Sequence, residues 1–225
     1  MNIILDIFNY VFVAIIIGVA STWVVLIRSM LRTFHDAPFL DKFEKKVHEK
    51  PKVSIILPAR NEEKFIGKCL DSLLDQDYDN YEIIVINDSS EDSTAEIIKK
   101  YEKKFSKVIL VDAKSKPEGW VGKNWACMEG YKKSTGNLLL FTDSDTVHAS
   151  SVISLAVSHL LSLELDALTV IPRMLCLDKI TKITLPMIST FLHTRFSALR
   201  VNDISKNTGY FFGSFFIIKK STYDS

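Results

Sequence analysis

Two carboxylates stand one residue apart, at Asp143 and Asp145, directly after the apolar run Leu138 to Thr142. Such groups repel each other unless a cation joins them. Oxygen ligands from short acidic side chains select hard ions such as Mg²⁺ or Mn²⁺, which bridge protein carboxylates to substrate phosphates. No EF-hand spacing follows the pair, which argues against a calcium loop. The pattern therefore predicts a Mg²⁺ or Mn²⁺ site that would suit a bound diphosphate.

Further polar clusters follow two other apolar runs of the chain. Residues 58–62 come after the run from Val53 to Leu57, and Asp88 comes after the run from Glu82 to Ile86. Any one cluster is explained by helix capping or a turn. If the runs are parallel strands, however, their carboxyl ends meet at one edge of the sheet, where ligands bind. The coincidence of the clusters predicts one binding site at that edge.

The loop from Pro117 to Asn124 contains two glycines and a lysine before a helix predicted from Trp125 to Lys133. Gly119 and Gly122 allow close approach of the backbone, and Lys123 could reach an anionic group at the start of the helix. The Walker spacing and the dinucleotide-binding glycine pattern are both absent. A simple turn with a solvated lysine explains the loop equally well, so both interpretations stay open.

The elements that would position these residues alternate between strand and helix patterns. Segments whose apolar residues recur at helical spacing lie between the first predicted strands. We therefore expect a mostly parallel sheet with right-handed crossovers and helices on both faces. Ser93 to Glu96 has the pattern of a capping box at the start of the second helix. The predicted strands are Val53–Leu57, Glu82–Ile86, Lys107–Val111, Leu138–Phe141 and Ala167–Ile171, with strand character also at Gly209–Ile218.

The segment from Asp178 to Arg200 is harder to interpret, because its apolar residues are interrupted by Pro186. A kinked helix or two short helices facing a membrane would explain it. An ordinary helix facing the core explains it equally well.

Length and composition limit the classes of protein that fit. A chain of 225 residues with 47% hydrophobic content is long enough for one well-buried domain. The formal net charge of +1 argues against a nucleic-acid partner. Cys69, Cys127 and Cys176 lack the spacing of a zinc site or a disulfide framework, and we interpret them as core or surface thiols.

An uncharged apolar stretch runs from Ile7 to Ile27, long enough to span a hydrocarbon core of about 30 Å. It lacks the basic start of a cleaved signal peptide, and basic residues follow it instead. The stretch therefore predicts a single-pass signal anchor with the remainder in the cytoplasm. We expect an anchor at 1–32, a juxtamembrane linker at 33–50 and a globular domain at 51–225. The basic residues that set this orientation are Arg28, Arg32, Lys42, Lys45 and Lys46.

Three motifs together resemble the inverting family 2 glycosyltransferases of GT-A fold. They read VSIILPARNEE from Val53, IIVINDSS from Ile83 and FTDSD from Phe141, and the resemblance covers about Pro51 to Asp145. The segment GWVGKNWA from Gly119 is similar to the subgroup that glycosylates carotenoid, hopanoid or sphingolipid-like acceptors. The resemblance thus implies a membrane-anchored hexosyltransferase with a lipid-like acceptor and a nucleotide-sugar donor, a UDP-sugar being favoured over a GDP-sugar.

The resemblance also implies roles for individual residues. The loop after the first strand and Asp88 would hold the base and ribose, Asp143 would lie near the ribose and sugar, and Asp145 would bind the metal with Asp143. The nucleotide-sugar-binding set is then Pro58, Ala59, Arg60, Asn61, Glu62, Asp88, Lys123, Asp143 and Ser144.

The same resemblance places the catalytic base, an acidic residue, beyond Ser225, since Asp224 comes too early to match. A membrane-tethered protein that binds a nucleotide sugar without turning it over, or acts as a scaffold, is therefore an alternative. A dinucleotide oxidoreductase shares the parallel sheet but would need the glycine fingerprint that is missing here.

Overall fold

The computed structural model describes residues 3–36, 39–40, 49–176, 178–203 and 205–225. The chain divides into two compact units. One comprises Met1–Pro38 and Met174–Tyr210, and the other comprises Phe39–Arg173 and Phe211–Ser225. Most of the predicted linker at 33–50, including Lys42, Lys45 and Lys46, lies outside the described residues, and the predicted domain boundaries stay a prediction.

The second unit contains the sheet and most of the short helices. Its strands are β1 (Val53–Ala59), β2 (Tyr81–Asn87), β3 (Val108–Asp112), β4 (Leu138–Thr142), β5 (Ala167–Thr169) and β6 (Phe215–Lys219). Its helices are α2 (Ile66–Leu74), α3 (Thr94–Lys104), α4 (Gly122–Lys133), α5 (Val152–Ser162) and α8 (Lys220–Tyr223). The first unit contains α1 (Ile3–Asp36), α6 (Lys179–Phe196) and α7 (Ala198–Val201).

The described strands form one six-stranded sheet in the order β3-β2-β1-β4-β6-β5. The first four strands are parallel, and β6 is inserted antiparallel between β4 and β5. The prediction of a mostly parallel α/β sheet is therefore confirmed. The carboxyl ends of β1, β2 and β4 meet at one edge of the sheet, because these strands run side by side in the same direction.

Both faces of the sheet are covered, which explains why the parallel strands are continuous apolar runs. Successive side chains of a strand point to opposite faces. Accordingly, Ile55 and Leu57 of β1 pack with α2, α3 and α5, whereas Ile56 packs with Ala126 of α4 on the other face. The side chains of Ile55, Ile56 and Leu57 are all completely buried. The expectation of helices on both faces is confirmed.

Two predicted strands are shorter in the structure. The stretch Gly209 to Ile218 forms a strand only from Phe215, and β5 ends at Thr169 rather than at Ile171. Hydrogen bonds near Thr169 end the pairing: its hydroxyl donates to Phe215 O at 2.9 Å, and the Phe212 N–H donates to its Oγ1 at 2.9 Å. These hydrogen bonds of the Thr169 side chain thus replace the backbone hydrogen bonds between β5 and β6 where the two strands separate.

The predicted start of the fourth helix was wrong by three residues. Helix α4 begins at Gly122 and not at Trp125, because Val121 has extended backbone and its carbonyl accepts from the Trp125 N–H at 3.0 Å. This shift puts Gly122 and Lys123 in the first turn of the helix, where free backbone N–H groups favour an anion.

The predicted capping box at Ser93 to Glu96 is absent from the structure. The Ser93 side chain makes no capping bond. Instead, Asp92 Oδ1 accepts from the Thr94 N–H at 3.0 Å, and the Ser93 N–H donates to Glu63 Oε2 at 3.1 Å. Ionised carboxylates are the stronger acceptors, so they displace the serine and Glu96 from this helix start.

In the first unit, α1 contains a stretch from Asp6 to Thr33 that is long and apolar enough to cross a membrane, and none of its apolar window is buried. This stretch includes the predicted span from Ile7 to Ile27. Helix α6 is a single helix with Pro186 inside it, and none of its 18 residues is buried. The core-facing interpretation of this segment was therefore wrong.

A buried carboxylate ties the amino end of β1 to the turn before β4. Glu82 Oε1 accepts from Ser54 Oγ at 2.6 Å and from the Thr135 N–H at 2.8 Å, and Lys52 Nζ donates to Oε2 at 2.7 Å. Burial alone would raise the pKa of Glu82, but these hydrogen bonds outweigh it and hold the pKa below its usual value. The ionised form of Glu82 therefore stabilises the fold.

We expect the substitution Glu82→Gln to lower the free energy of unfolding by about 1–3 kcal/mol at pH 7, because Lys52 and Thr135 lose a charged acceptor. The lowered pKa means that the wild-type protein loses this stability as pH falls below about 4.5, so the difference between the proteins should shrink there. Urea unfolding in detergent at several pH values measures it. The exposed Glu96→Gln is the control, and equal losses in both variants would contradict the account.

Candidate functional site

A cavity of about 420 Å³ opens at the carboxyl ends of β1, β2 and β4. The loops after these strands form it together with the first turn of α4. Its lining residues are Pro58, Ala59, Arg60, Glu62, Asp88, Gly122, Lys123, Asp143, Ser144 and Asp145. Eight of the nine predicted nucleotide-sugar-binding residues and both predicted metal ligands therefore lie around one cavity.

Asn61 is the exception, because it does not line the cavity. Its side-chain oxygen accepts from the Glu91 N–H at 2.8 Å, and its own N–H donates to Ser90 Oγ at 3.2 Å. These bonds fasten the loop after β1 to the loop after β2. Asn61 also has a φ of 55°, a left-handed conformation that asparagine tolerates better than most residues. The structure thus gives Asn61 a role in holding the loops in place.

Asp88 lies between the first loop and the start of α4. Its carboxylate is 4.0 Å from the Arg60 guanidinium. A Cβ added to Gly122 would stand 3.4 Å from Asp88 Oδ2, so the start of α4 lies directly beside this carboxylate. The first N–H groups of a helix carry partial positive charge, so the start of α4 is a favourable electrostatic neighbour for this carboxylate.

Lys123 forms an ion pair with Asp143 across the cavity. The cation that neutralises one member of the acidic pair is thus a side chain of α4. Asp145 is exposed and no ion pair is found for it among the described residues. The Lys123 side chain, although 53% exposed, is therefore paired with a carboxylate and not only solvated. Its contact with an anion stays a prediction.

His148 fixes the loop that carries the acidic pair through hydrogen bonds to two threonine side chains. The Thr142 hydroxyl donates to Ser214 O at 2.8 Å, and the Thr146 hydroxyl donates to Asp143 O at 2.6 Å. His148 Nε2 lies 3.2 Å from both hydroxyl oxygens, so it must carry the hydrogen and donate to them. Burial lowers the pKa of His148 to about 4, which keeps the ring neutral.

Acidic groups outnumber cations in the cavity. Arg60 and Lys123 face four carboxylates, which gives a formal charge of −2. Burial, followed by the charges of Asp145, Asp92 and Asp143, raises the pKa of Glu62. The excess of negative charge would repel a diphosphate, unless a divalent cation entered with it.

The donor set fits such a cation. No group of three or more His, Cys, Asp or Glu side chains able to hold a metal occurs in the part of the chain that the structure describes. Mg²⁺ and Mn²⁺ bound with a substrate need fewer, because one or two carboxylates suffice when phosphates and waters complete the coordination. Asp145, with Asp143 beside it, is such a set.

Sequence reasoning misplaced one residue of this region and missed another. Gly122 was placed in a loop, whereas it belongs to the first turn of α4 and lines the cavity. His148 was not singled out, although it lies only three residues beyond Asp145. A histidine close behind an acidic pair was the available signal, but only the folded loop shows that its ring holds Thr142 and Thr146.

The fold and the cavity define a mostly parallel α/β protein with a charged cavity at the carboxyl edge of its sheet. The model of the protein family described as Glycosyl transferase family 2 matches residues 54–225 of the chain. The chain belongs to this family, and the resemblance found in the three sequence motifs is confirmed.

Curated relatives carry names of the same kind. The chain is 37% identical over 128 residues to a 4,4'-diaponeurosporenoate glycosyltransferase of Staphylococcus haemolyticus, a match that covers 56% of the chain and 32% of the relative. It is 34% identical over 108 residues to a probable glycosyltransferase, YdaM, of Bacillus subtilis, covering 47% of the chain and 26% of the relative. The chain thus spans about a third or less of these relatives.

Among solved structures, the chain is similar to the mannosyltransferase PcManGT of Pyrobaculum calidifontis in complex with GDP-Man and Mn²⁺. The TM-score is 0.63 at 21% sequence identity, and the match covers 93% of this chain and 56% of the other. At this identity the likeness concerns the fold, and it confirms the expected GT-A architecture.

The raised pKa of Glu62 predicts a stability effect with a definite sign. The folded state holds this proton more tightly than the unfolded state, so stability falls as pH rises from about 4.5 through the raised pKa. We expect Glu62→Gln to be more stable than wild type at pH 7 and equal to it near pH 4. Urea unfolding measures both, with Glu118→Gln as control. An advantage of Glu62→Gln that does not change with pH would contradict the electrostatic cause.

Proposed function

We propose that the chain belongs to a hexosyltransferase and binds its nucleotide-sugar donor. The hexose is transferred from this donor to a membrane-associated acceptor, with inversion at the anomeric carbon. The observation that carries the proposal is the gathering of Asp88, Asp143, Asp145 and Lys123 around one cavity at the carboxyl edge of the sheet. Membership of glycosyl transferase family 2 supports a nucleotide sugar as the ligand.

The lining residues would divide the donor between them. The loop of Pro58, Ala59, Arg60 and Glu62, with Asp88, would hold the base and ribose, and Ser144 and Asp143 would lie near the ribose and sugar. Lys123 stands at the first turn of α4, where its ammonium and the free N–H groups of the helix favour a diphosphate. On donor binding, the side chain of Lys123 would exchange its contact with Asp143 for a phosphate oxygen.

A divalent ion, Mg²⁺ or Mn²⁺, would be held by Asp145 with Asp143 beside it. When bound, such an ion neutralises the negative charge that develops on a diphosphate leaving group. The positive charge of the ion would also offset the excess negative charge of the carboxylates in the cavity, including those near Glu62. These side chains therefore supply oxygen ligands and hold the leaving group in place.

The transfer itself would be a displacement at the anomeric carbon. An acceptor oxygen forms a bond to this carbon from the face opposite the diphosphate, while the bond from the carbon to the diphosphate oxygen breaks and the diphosphate keeps the electron pair. The proton of the acceptor hydroxyl passes to a carboxylate base within hydrogen-bond reach.

A lipid-like acceptor is supported by two observations. One is the 37% identity to a diaponeurosporenoate glycosyltransferase, whose name gives a carotenoid-type acceptor for that relative. The other is helix α1, whose apolar stretch is exposed and long enough to span a bilayer. We keep a UDP-sugar as the favoured donor, and a comparison with GDP-sugars in the binding experiment below tests that choice.

The metal site yields the first test. We expect Mn²⁺ and the correct nucleotide sugar together to raise the melting temperature of the wild-type protein, because binding to the folded state stabilises it. In Asp145→Asn this joint increase should disappear. A thermal-shift screen of UDP- and GDP-hexoses with and without Mn²⁺ measures it.

The control for this screen is Asp75→Asn, which removes an exposed carboxylate that does not line the cavity. An unchanged metal-dependent shift in Asp145→Asn would contradict the metal assignment. Binding that survives in the wild type without any sugar transfer by the full-length protein would favour the alternative, a membrane-tethered protein that binds the donor without turnover.

We further propose that α1 anchors the chain in a membrane and that the sheet domain faces the cytoplasm. Arg28 and Arg32 follow the apolar stretch, and basic residues favour the cytoplasmic side. In sealed bacterial membrane vesicles, we expect protease to digest the sheet domain in inverted vesicles and to spare it in right-side-out ones. The reverse pattern would contradict the orientation.

A further inference from the structure

An apolar stripe covers the exposed side of α6. Five side chains of the helix, Ile180, Ile183, Met187, Ile188 and Phe191, are each 55–73% exposed. Their successive spacings of three, four, one and three residues place them on one side of a helix. An apolar surface of this kind, although Thr184 interrupts it, is uncommon on a soluble protein and indicates a partner that covers it.

The charges of the same segment indicate what the partner is. From Lys179 to Val201, through α6 and α7, the chain carries four basic residues and no acidic residue. An exposed apolar stripe combined with basic side chains is the pattern of a helix that lies in the surface of an anionic membrane. The four basic residues are Lys179, Lys182, Arg195 and Arg200.

The position of α6 within its unit agrees with that partner. His193 Nε2 lies 3.3 Å from Ser29 Oγ of α1, next to Arg28, where the uncharged stretch of α1 ends. A cavity of about 540 Å³ separates this part of α1 from the end of α6 and α7, and Thr22 and Arg200 are among its lining residues. The last turns of α6 thus lie at the level where a spanning α1 would leave the hydrocarbon core.

We propose that α6 is a second membrane contact, which lies in the bilayer surface with its apolar stripe among the acyl chains and its basic residues at anionic headgroups. This contact is separate from the anchor and from the donor site, because no residue of α6 lines the donor cavity. Its consequence is that a membrane-embedded acceptor would be presented to a protein that is fixed at the membrane surface and not merely tethered to it.

The test uses the full chain reconstituted into vesicles of phosphatidylcholine and phosphatidylglycerol. An environment-sensitive fluorophore is attached to Met187→Cys in the stripe, in a background of Cys127→Ser and Cys176→Ser, since Cys69 is completely buried. We expect blue-shifted emission that is quenched by lipids with a spin label on the acyl chain. The matched control is Ser189→Cys, because Ser189 is also exposed but lies on the opposite side of the helix.

Several outcomes would overturn the proposal. Equal emission and equal quenching at positions 187 and 189 would show that the stripe does not face lipid. Blue-shifted emission at 187 without quenching by spin-labelled lipid would show that protein, such as a second copy of the chain, covers the stripe. Replacement of the four basic residues by glutamine should abolish the dependence of the quenching on phosphatidylglycerol, and a dependence that persists would contradict the role of charge.

Donor binding separates this proposal from the proposed function. The donor titration with Mn²⁺ should be the same in Met187→Glu and wild type, while lipid quenching at a label on Ile183→Cys should be lost in Met187→Glu. Retained quenching in that variant would contradict the proposal whether or not the donor binds.

Discussion

Like charges crowd together at the carboxyl edge of the sheet, and their repulsion is the constraint on which the arrangement of the site depends. Four carboxylates and two cations line one cavity. Parallel strands bring the carboxylates together, because each of the three loops starts at the same edge. Lys123 neutralises Asp143, and the start of α4 stands beside Asp88. No ion pair of Asp145 or Glu62 is found among the described residues, so their negative charge stays uncompensated by a side chain.

The rest of the sheet domain holds these charges in place. Apolar strands that are buried on both faces leave no freedom for the strand ends to separate. Asn61 ties the loop after β1 to the loop after β2, and His148 fixes the loop of the acidic pair through two threonine hydroxyls. The pKa of Glu62 is raised first by its burial and then by the charges of Asp145, Asp92 and Asp143, which this arrangement holds close to it.

Much of this arrangement could be predicted from sequence, because it follows from local patterns. The runs of β1, β2 and β4 are continuous and apolar, and each ends in polar residues, so their order and the location of the site follow from the rules of parallel sheets. The antiparallel insertion of β6 could not be predicted, since it depends on pairing with β4 across more than 70 residues of chain.

Which of several competing side chains accepts a given hydrogen bond could not be predicted from the sequence either. Whether Ser93 or Asp92 caps α3 is decided by Glu63, which reaches the helix from another loop. Likewise, the ion pair of Lys123 with Asp143 joins residues that are 20 positions apart. The orientation of α6 could not be chosen from its sequence either, because its moderately apolar pattern suits a core as well as a membrane surface.

The most direct test of the account is a crystal structure of the full chain with Mn²⁺ and a nucleoside diphosphate, recorded at a wavelength where manganese scatters anomalously. The account predicts one anomalous peak within coordination distance of Asp145, with the diphosphate between this ion and the first turn of α4. Nucleotide density elsewhere in the protein, or a diphosphate in the cavity with Asp145 turned away from it and no anomalous peak, would contradict the central claim.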